Sequence, residues 1–198
     1  MVIEGLDGAG TTTQVSLLAQ HLSRRGLAVV TTREPTDGPV GRAIRFTLRA
    51  EEGAAAAAAL PWLFAADRAD HLARTVEPAL ARGAIVISDR YYHSSLAYQS
   101  QGMGLHEVYA LNRRFRAPDL TILVDVPVTV ALDRIARRGE AREIFEHKAK
   151  LTQVTAAYHE VVGLLREQGH RIERVDGTTS PESVATAIAR HVETLVSA

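Results

Sequence analysis

The sequence predicts an α/β fold in which a parallel sheet is covered by helices on both faces. Short apolar segments alternate along the chain with segments whose apolar residues recur at helical spacing. A glycine-rich loop follows the first apolar segment, and charged residues follow the second and third. In an open parallel sheet these positions share the carboxyl edge, where ligands bind. This alternation is typical of strands joined by crossover helices.

The glycine-rich loop occupies residues 5–13. The phosphate-loop template is G-x-x-x-x-G-K-[ST]; Gly5, Gly10 and Thr12 match it, whereas Thr11 stands at the lysine position. Glycines let the backbone turn sharply and approach a ligand, and amides at a helix start bind anions. We therefore expect a P-loop NTPase-like three-layer α/β/α fold. The predicted phosphate site comprises Gly5, Leu6, Asp7, Gly8, Ala9, Gly10, Thr11, Thr12 and Thr13.

Helix and strand patterns follow the loop in turn. Val15, Leu18 and Leu22 have helical spacing, and 28–32 reads as the second strand. Arg33, Glu34 and Pro35 come at its carboxyl end, and Pro39 opens a helix that carries Arg42, Arg45 and Arg49. These charged residues are candidates for the ligand-binding edge.

An alanine-rich segment predicts a long helix from Gly53 through Leu72, because alanine is the best helix former. Phe64 and Arg68 are four residues apart and share a face of this helix. From the pattern alone, a core aromatic residue next to a solvated arginine is the more common explanation.

The third strand, 84–88, leads directly into Asp89 and Arg90. The two charges are either a structural pair or, next to a phosphate loop, a magnesium ligand and a phosphate clamp. The segment 94–101 is polar and aromatic, and we expect Tyr98 and Gln99 to face the same cavity.

The second half of the chain is predicted to complete a five-stranded parallel sheet. A fourth strand covers 120–126 and a fifth covers 172–175; Ser180 and Pro181 then begin a last helix. Between the fourth and fifth strands, a predicted helix leads to Arg134, Arg137, Arg138 and Arg142. This cluster is either a solvated helix end or a flap that brings arginines onto phosphates and excludes water.

The composition limits the class of protein and its partners. The 198 residues suit one domain, 1–198, and contain no linker or repeat. A net charge of zero argues against nucleic acid or an acidic membrane as a partner. The lack of cysteine excludes disulfides and thiolate metal sites and fits a cytoplasmic location. No apolar run approaches the ~20 residues that cross a membrane.

Taken together, five segments resemble the thymidylate kinases over nearly the whole chain. They are EGLDGAG (4–10), TREP (32–35), LFAADR (63–68), SDRY (88–91) and LVDVP (123–127). The resemblance implies transfer of the γ-phosphoryl group of ATP to dTMP, giving dTDP for dTTP and DNA synthesis, with Mg²⁺. By analogy with this family we expect a homodimer.

The resemblance also implies roles for single residues. The loop would hold the donor phosphates, with Thr12 and Asp89 near magnesium. Phe64 would stack on thymine, Arg68 would bond its edge, and Tyr98 would exclude a ribose 2′-hydroxyl. The implied dTMP site comprises Asp7, Glu34, Pro35, Arg45, Phe64, Arg68, Arg90, Ser94, Ser95, Tyr98 and Gln99.

A helical flap (LID) at approximately 137–150 is implied as well. Bacterial members of the family carry catalytic arginines in the flap rather than in the loop, which fits this chain. The implied catalytic set is Asp7, Arg90, Arg137, Arg138 and Arg142. The chain departs from the family pattern at Thr11 and over 140–158. Lys148 or Lys150 could supply part of the missing loop charge.

Two alternatives remain open at this stage. A homologue that binds nucleotides but has lost catalysis is suggested by Thr11 alone. A kinase of another deoxynucleoside monophosphate, or of a nucleoside, is the second alternative. Arg45 and Arg90 favour an acceptor that already carries a phosphate.

Overall fold

The central sheet has five parallel strands, as the sequence predicts. The computed structural model describes residues 1–49, 53–137 and 144–196. The strand order is β2-β3-β1-β4-β5, and every neighbouring pair is parallel. The strands are β1 (Val2–Gly5), β2 (Val29–Arg33), β3 (Ile85–Asp89), β4 (Thr121–Asp125) and β5 (Ile172–Asp176).

Helices flank the sheet and complete a three-layer α/β/α fold. The helices in the described ranges are α1 (Thr11–Arg24), α2 (Pro39–Arg49), α3 (Gly53–His71), α4 (Glu77–Ala81), α5 (Tyr92–Met103), α6 (Leu105–Asn112), α7 (Val128–Arg137), α8 (Ile144–Glu167) and α9 (Pro181–Val196). No helix in this part of the chain has the length and apolarity needed to cross a membrane.

The long helix predicted from Gly53 through Leu72 is confirmed as α3. It ends at His71, a π-helical turn covers Leu72–Val76, and α4 follows. The segment around Tyr98, expected only to be polar and aromatic, is a regular helix. Several of its buried residues are polar, and they are buried by contacts with β1 and with other helices. The spacing of its apolar residues is therefore a weak signal for a helix.

The core lies on both faces of β1, the middle strand. All four β1 residues are buried, and Ile3 is 0% exposed. Leu22 of α1 and Leu165 of α8 are also 0% exposed, and each such side chain stabilises the fold by roughly 1.5–3 kcal/mol. Because β1 is central, the loop that follows it lies at the middle of the carboxyl edge.

Candidate active site

The backbone of the loop after β1 forms a cradle that only glycine permits at several positions. A Cβ on Gly5 would lie 2.8 Å from the carbonyl oxygen of Val124, and one on Gly8 would lie 2.5 Å from that of Ala131. Gly10 has a φ of 91° and immediately precedes α1. The loop encloses a cavity of about 380 Å³ next to this helix start, a combination that favours anion binding.

Thr11 lines this cavity but brings no charge to it. Its side chain is largely buried, and its methyl carbon Cγ2 would lie 3.2 Å from a Cβ built on Gly5. Position 11 therefore packs within the loop. Residues 5–13 thus contribute no side-chain cation to the cavity.

Thr12 and Asp89 place two side-chain oxygens close together beside the cradle. The Thr12 hydroxyl donates to Asp89 Oδ2 over 2.5 Å. Asp89 Oδ1 is buried and has no hydrogen-bond partner among the described residues. In those same residues there is no cluster of three or more His, Asp or Glu side chains suited to a metal. The pair thus fits Mg²⁺ that is bound by few protein oxygens and completed by substrate phosphates.

A second cavity, of about 320 Å³, adjoins the cradle and is called the acceptor cavity here. It brings together all the residues expected at the dTMP site except Arg45, and it adds Leu48, Tyr91 and Lys150. Its volume suits a small organic ligand. The residues that line it are Asp7, Glu34, Pro35, Leu48, Phe64, Arg68, Arg90, Tyr91, Ser94, Ser95, Tyr98, Gln99 and Lys150.

Arg90 lies between the cradle and the acceptor cavity. Its guanidinium donates to Asp7 Oδ1 and to the Ser94 hydroxyl, each over 2.9 Å. Burial acts to lower the pKa of Arg90, but the nearby Tyr98, Tyr158 and acidic groups outweigh it and raise that pKa well above its usual value. The backbone has a φ of 71° at Arg90, which is uncommon for a non-glycine residue. The fold therefore holds a permanent cation at this point.

Tyr98 forms the wall of the cavity beside Asp7. Its hydroxyl donates to Asp7 Oδ2 and accepts from the Asp7 amide, both over 3.2 Å. Burial raises the pKa of Tyr98 to about 12, so its hydroxyl keeps its proton. The ring also lies 5.4 Å from the Arg90 guanidinium.

Arg68 is fully buried, so its interpretation as a solvated residue from the pattern alone is wrong. It is 0% exposed and donates to Glu34 over 2.6 Å and to Ser95 over 3.0 Å. It also donates to Asn112. The other Glu34 oxygen contacts His71 Nδ1 at 2.9 Å. A buried charge must be paired in this way to be tolerated, and the pairing fixes the guanidinium at the cavity wall.

Two buried polar atoms at the acceptor cavity have no partner among the described residues. They are Nε of Arg68, a donor, and Oε1 of Gln99, an acceptor. Phe64 is half-buried and lines the same cavity. A planar apolar face next to a donor and an acceptor suits a nucleobase with an amide edge.

Of the remaining predicted cations in the described ranges, Lys150 lines the acceptor cavity and the others do not. Arg45 donates to the Pro35 carbonyl over 3.0 Å and to Asp37 over 3.1 Å. Arg137 is exposed at the end of α7. Arg138 and Arg142 fall outside the described residues. Lys150 of α8 is exposed and reaches the acceptor cavity, whereas Lys148 is not among its lining residues.

Sequence reasoning missed several polar residues that support the site. Glu4, His71 and Tyr158 are each almost completely buried and hydrogen-bonded to residues of the cavity or loop. A glutamate inside an otherwise apolar strand is a usable signal for Glu4. His71 and Tyr158 give no comparable signal, because a buried polar residue on a helix is recognisable only from its tertiary contacts.

Comparisons of the chain with a protein-family model and with known proteins all point to thymidylate kinases. The family model for thymidylate kinase matches residues 3–188. A probable thymidylate kinase of Thermococcus kodakarensis is 43% identical over 77% of this chain and 80% of its own length. A thymidylate kinase of Thermomicrobium roseum is 41% identical over 95% of this chain and 91% of its own. A probable thymidylate kinase of Thermococcus onnurineus is 39% identical over 98% of this chain and 96% of its own.

Proposed function

Because this chain belongs to the thymidylate kinase family, we infer that it phosphorylates dTMP to dTDP with ATP as the phosphoryl donor. Beyond the family match, the main structural support is the arrangement of two adjoining cavities. One is a backbone anion cradle, and the other combines a fixed arginine with an apolar face and with a buried donor and acceptor that have no partner within the described ranges. That arrangement suits donor phosphates next to a phosphorylated nucleoside.

The reaction needs alignment and charge rather than a protein nucleophile. A phosphate oxygen of dTMP attacks the γ-phosphorus of ATP; the bond from that phosphorus to the β–γ bridging oxygen breaks, and ADP leaves. We propose that residues 5–13 hold the donor phosphates. Bound Mg²⁺ would neutralise charge on the phosphates, and Thr12 and Asp89 would hold it.

For the acceptor, we propose that Arg90 binds the phosphate bidentately, as an arginine fork can. Phe64 would stack on thymine, while Arg68 and Gln99 would bond its edge. Tyr98 would lie against the deoxyribose, and Asp7 near its 3′-hydroxyl. The remaining acceptor residues in this proposal are Glu34, Pro35, Arg45, Ser94 and Ser95.

The charge on the transferred group would come from cations outside the loop, as in bacterial members of the family. Arg137, Arg138 and Arg142 are the proposed flap cations, within a flap at approximately 137–150 of a single domain, 1–198. We add Lys150, because it lines the acceptor cavity and Thr11 supplies no charge.

We also propose a homodimer in the cytoplasm. Phe46 and Trp62 are 68% and 58% exposed, on two helices that pack against each other. Large exposed apolar residues on two adjoining helices support an interface between copies on these helices. The lack of cysteine is compatible with a reducing compartment.

The function is tested by ADP formation with Mg²⁺, ATP and one monophosphate acceptor at a time. We expect dTMP to give the highest kcat/KM, and dUMP, dCMP and dGMP to give much lower values. Arg90→Ala should reduce dTMP phosphorylation sharply, because loss of a buried charge partner can cost ~2–5 kcal/mol. Measurable binding of ATP and dTMP without ADP formation would instead identify a non-catalytic homologue.

A further inference from the structure

A buried carboxylate in the middle strand is linked to the acceptor clamp. Glu4 is 0% exposed and accepts hydrogen bonds from the Tyr91 amide over 2.8 Å, the Ser94 amide over 3.3 Å and the Ser94 hydroxyl over 2.6 Å. The Tyr158 hydroxyl donates to it over 3.0 Å. Both carboxylate oxygens therefore have donors. We call Glu4, Ser94 and Tyr158 the Glu4 cluster.

Ser94 carries the link from Glu4 to Arg90. A hydroxyl has one proton and two lone pairs. The Ser94 proton points to Glu4 Oε2, so a lone pair remains for the Arg90 Nη1 donor 2.9 Å away. If the carboxylate were absent or turned, the Ser94 proton would be free to face Arg90, which cannot accept it. The orientation of Glu4 thus determines whether Ser94 can hold the guanidinium.

Tyr158 joins this link to the phosphate loop and to α8. Its hydroxyl lies 3.0 Å from the Ser94 hydroxyl and 3.3 Å from the carbonyl oxygen of Gly5, the first loop residue. Its ring packs edge-on against Tyr98 of the cavity wall. The same helix bears Lys150 two turns earlier. One phenol therefore contacts the strand, the loop and α5 at the same point.

We propose that Glu4 and Tyr158 are positioning residues for the acceptor phosphate, acting through Ser94 on the guanidinium of Arg90. The inference depends on the proposed function, in which Arg90 binds that phosphate. A purely structural cluster would stabilise the fold and affect every ligand equally. A positioning cluster affects only ligands that carry the phosphate, so dTMP and thymidine separate the two cases.

The test compares Tyr158→Phe with a matched control, Tyr92→Phe, in the full chain. Both tyrosines are 3% exposed, but the Tyr92 hydroxyl bonds His170 over 3.1 Å and neither residue lines the acceptor cavity. Calorimetry would give the Kd of dTMP and of thymidine for each protein. We expect Tyr158→Phe to weaken dTMP about three- to tenfold, the scale of one hydrogen bond, with thymidine unchanged. Tyr92→Phe should change neither.

Glu4→Gln and a double variant complete the experiment. Glu4→Gln should weaken dTMP selectively as well, because an amide cannot accept the same four donors. In an Arg90→Ala background, Tyr158→Phe should have no further effect on dTMP. Equal losses for dTMP and thymidine, or an unchanged dTMP Kd in a folded Tyr158→Phe protein, would overturn the inference while leaving the kinase assignment intact. Wild-type protein that binds dTMP no more tightly than thymidine would overturn the Arg90 clamp itself.

Discussion

The Nε of Arg68 and the Oε1 of Gln99 are buried without partners among the described residues. Leaving a buried polar atom unsatisfied costs about 1–3 kcal/mol. In the proposed function, a thymine whose amide edge pairs with them would remove this cost on binding and would thereby favour that base. Arg68 can serve because Glu34, Ser95 and Asn112 fix its other nitrogens.

Stacking on Phe64 should contribute independently of that edge. We predict that Phe64→Ala weakens dTMP binding by ~1–3 kcal/mol, the usual scale for a base on an aromatic ring. ATP binding should stay nearly unchanged, because Phe64 lines the acceptor cavity and not the cradle. Calorimetry with both nucleotides checks this. Equal losses for ATP and dTMP would identify Phe64 as a packing residue.

Glu4 should also make the stability of the fold depend on pH. Burial raises the pKa of Glu4 from 4.5 to about 7, and Arg90, Ser94, Tyr158 and the Tyr91 amide oppose this only in part. Because the folded state holds the proton more tightly than the unfolded chain, the stabilisation is complete below about pH 4.5 and is lost as the pH rises to about 7.

We therefore predict that wild-type stability, relative to Glu4→Gln, falls by an amount on the order of ~3 kcal/mol from about pH 5 to about pH 8. Urea unfolding of both proteins at several pH values measures the difference. The comparison with Glu4→Gln is needed because His93, whose Nδ1 lies 3.7 Å from Glu4, also titrates. Burial lowers the pKa of His93 to about 3, so its contribution makes stability rise with pH up to about pH 6.5. A constant difference across the range would mean that Glu4 does not titrate there.

Among the elements, strands and loop could be predicted from sequence because their signals are local. The apolar run before Asp89 and the glycine spacing of residues 5–10 are such signals. The residue pattern alone could not predict the burial of Arg68, because its partners are 34, 27 and 44 residues away in the chain; only the family resemblance pointed to a site role. Its spacing to Phe64 predicts a shared face but does not distinguish a cavity wall from solvent.

Helix α8 brings Lys150 to a site whose loop lacks a cation. Losing one preorganised electrostatic group typically reduces turnover by ~10²–10³. We predict that Lys150→Ala lowers kcat much more than it changes dTMP affinity, and that Thr11→Lys partly restores it. Lys148→Ala is the matched control, since Lys148 is exposed on the same helix and is absent from the cavity lining.

A double-mutant cycle on kcat shows whether charges at positions 11 and 150 substitute for each other, because their effects would then be non-additive. Repeating the cycle with Arg142→Ala, a residue outside the described ranges, separates the flap from α8. We expect Arg142→Ala nearly to abolish turnover with dTMP affinity almost intact. Additive effects of Thr11→Lys in both cycles would contradict compensation for the missing lysine.

At the scale of the whole molecule, the proposed interface and the proposed acceptor site share two helices, α2 and α3. The cradle and acceptor cavity open at the carboxyl edge near β1, and the exposed side chains of Phe46 and Trp62 lie on α2 and α3, which pack against each other. Leu48 of α2 is 54% exposed and also lines the acceptor cavity. An interface on these helices would therefore cover apolar surface and restrain one cavity wall.

We predict that Trp62→Glu converts a homodimer into a monomer, because a buried unpaired carboxylate at the interface costs several kcal/mol. Sedimentation velocity over a range of concentrations gives the mass. Gln168→Glu is the control: it adds the same charge at an exposed position after α8, near β5 at the other edge of the sheet. The monomer should also bind dTMP more weakly, since Leu48 would lose its support. A Trp62→Glu protein with unchanged mass would place the interface elsewhere, and a wild-type monomer at every concentration would refute the dimer.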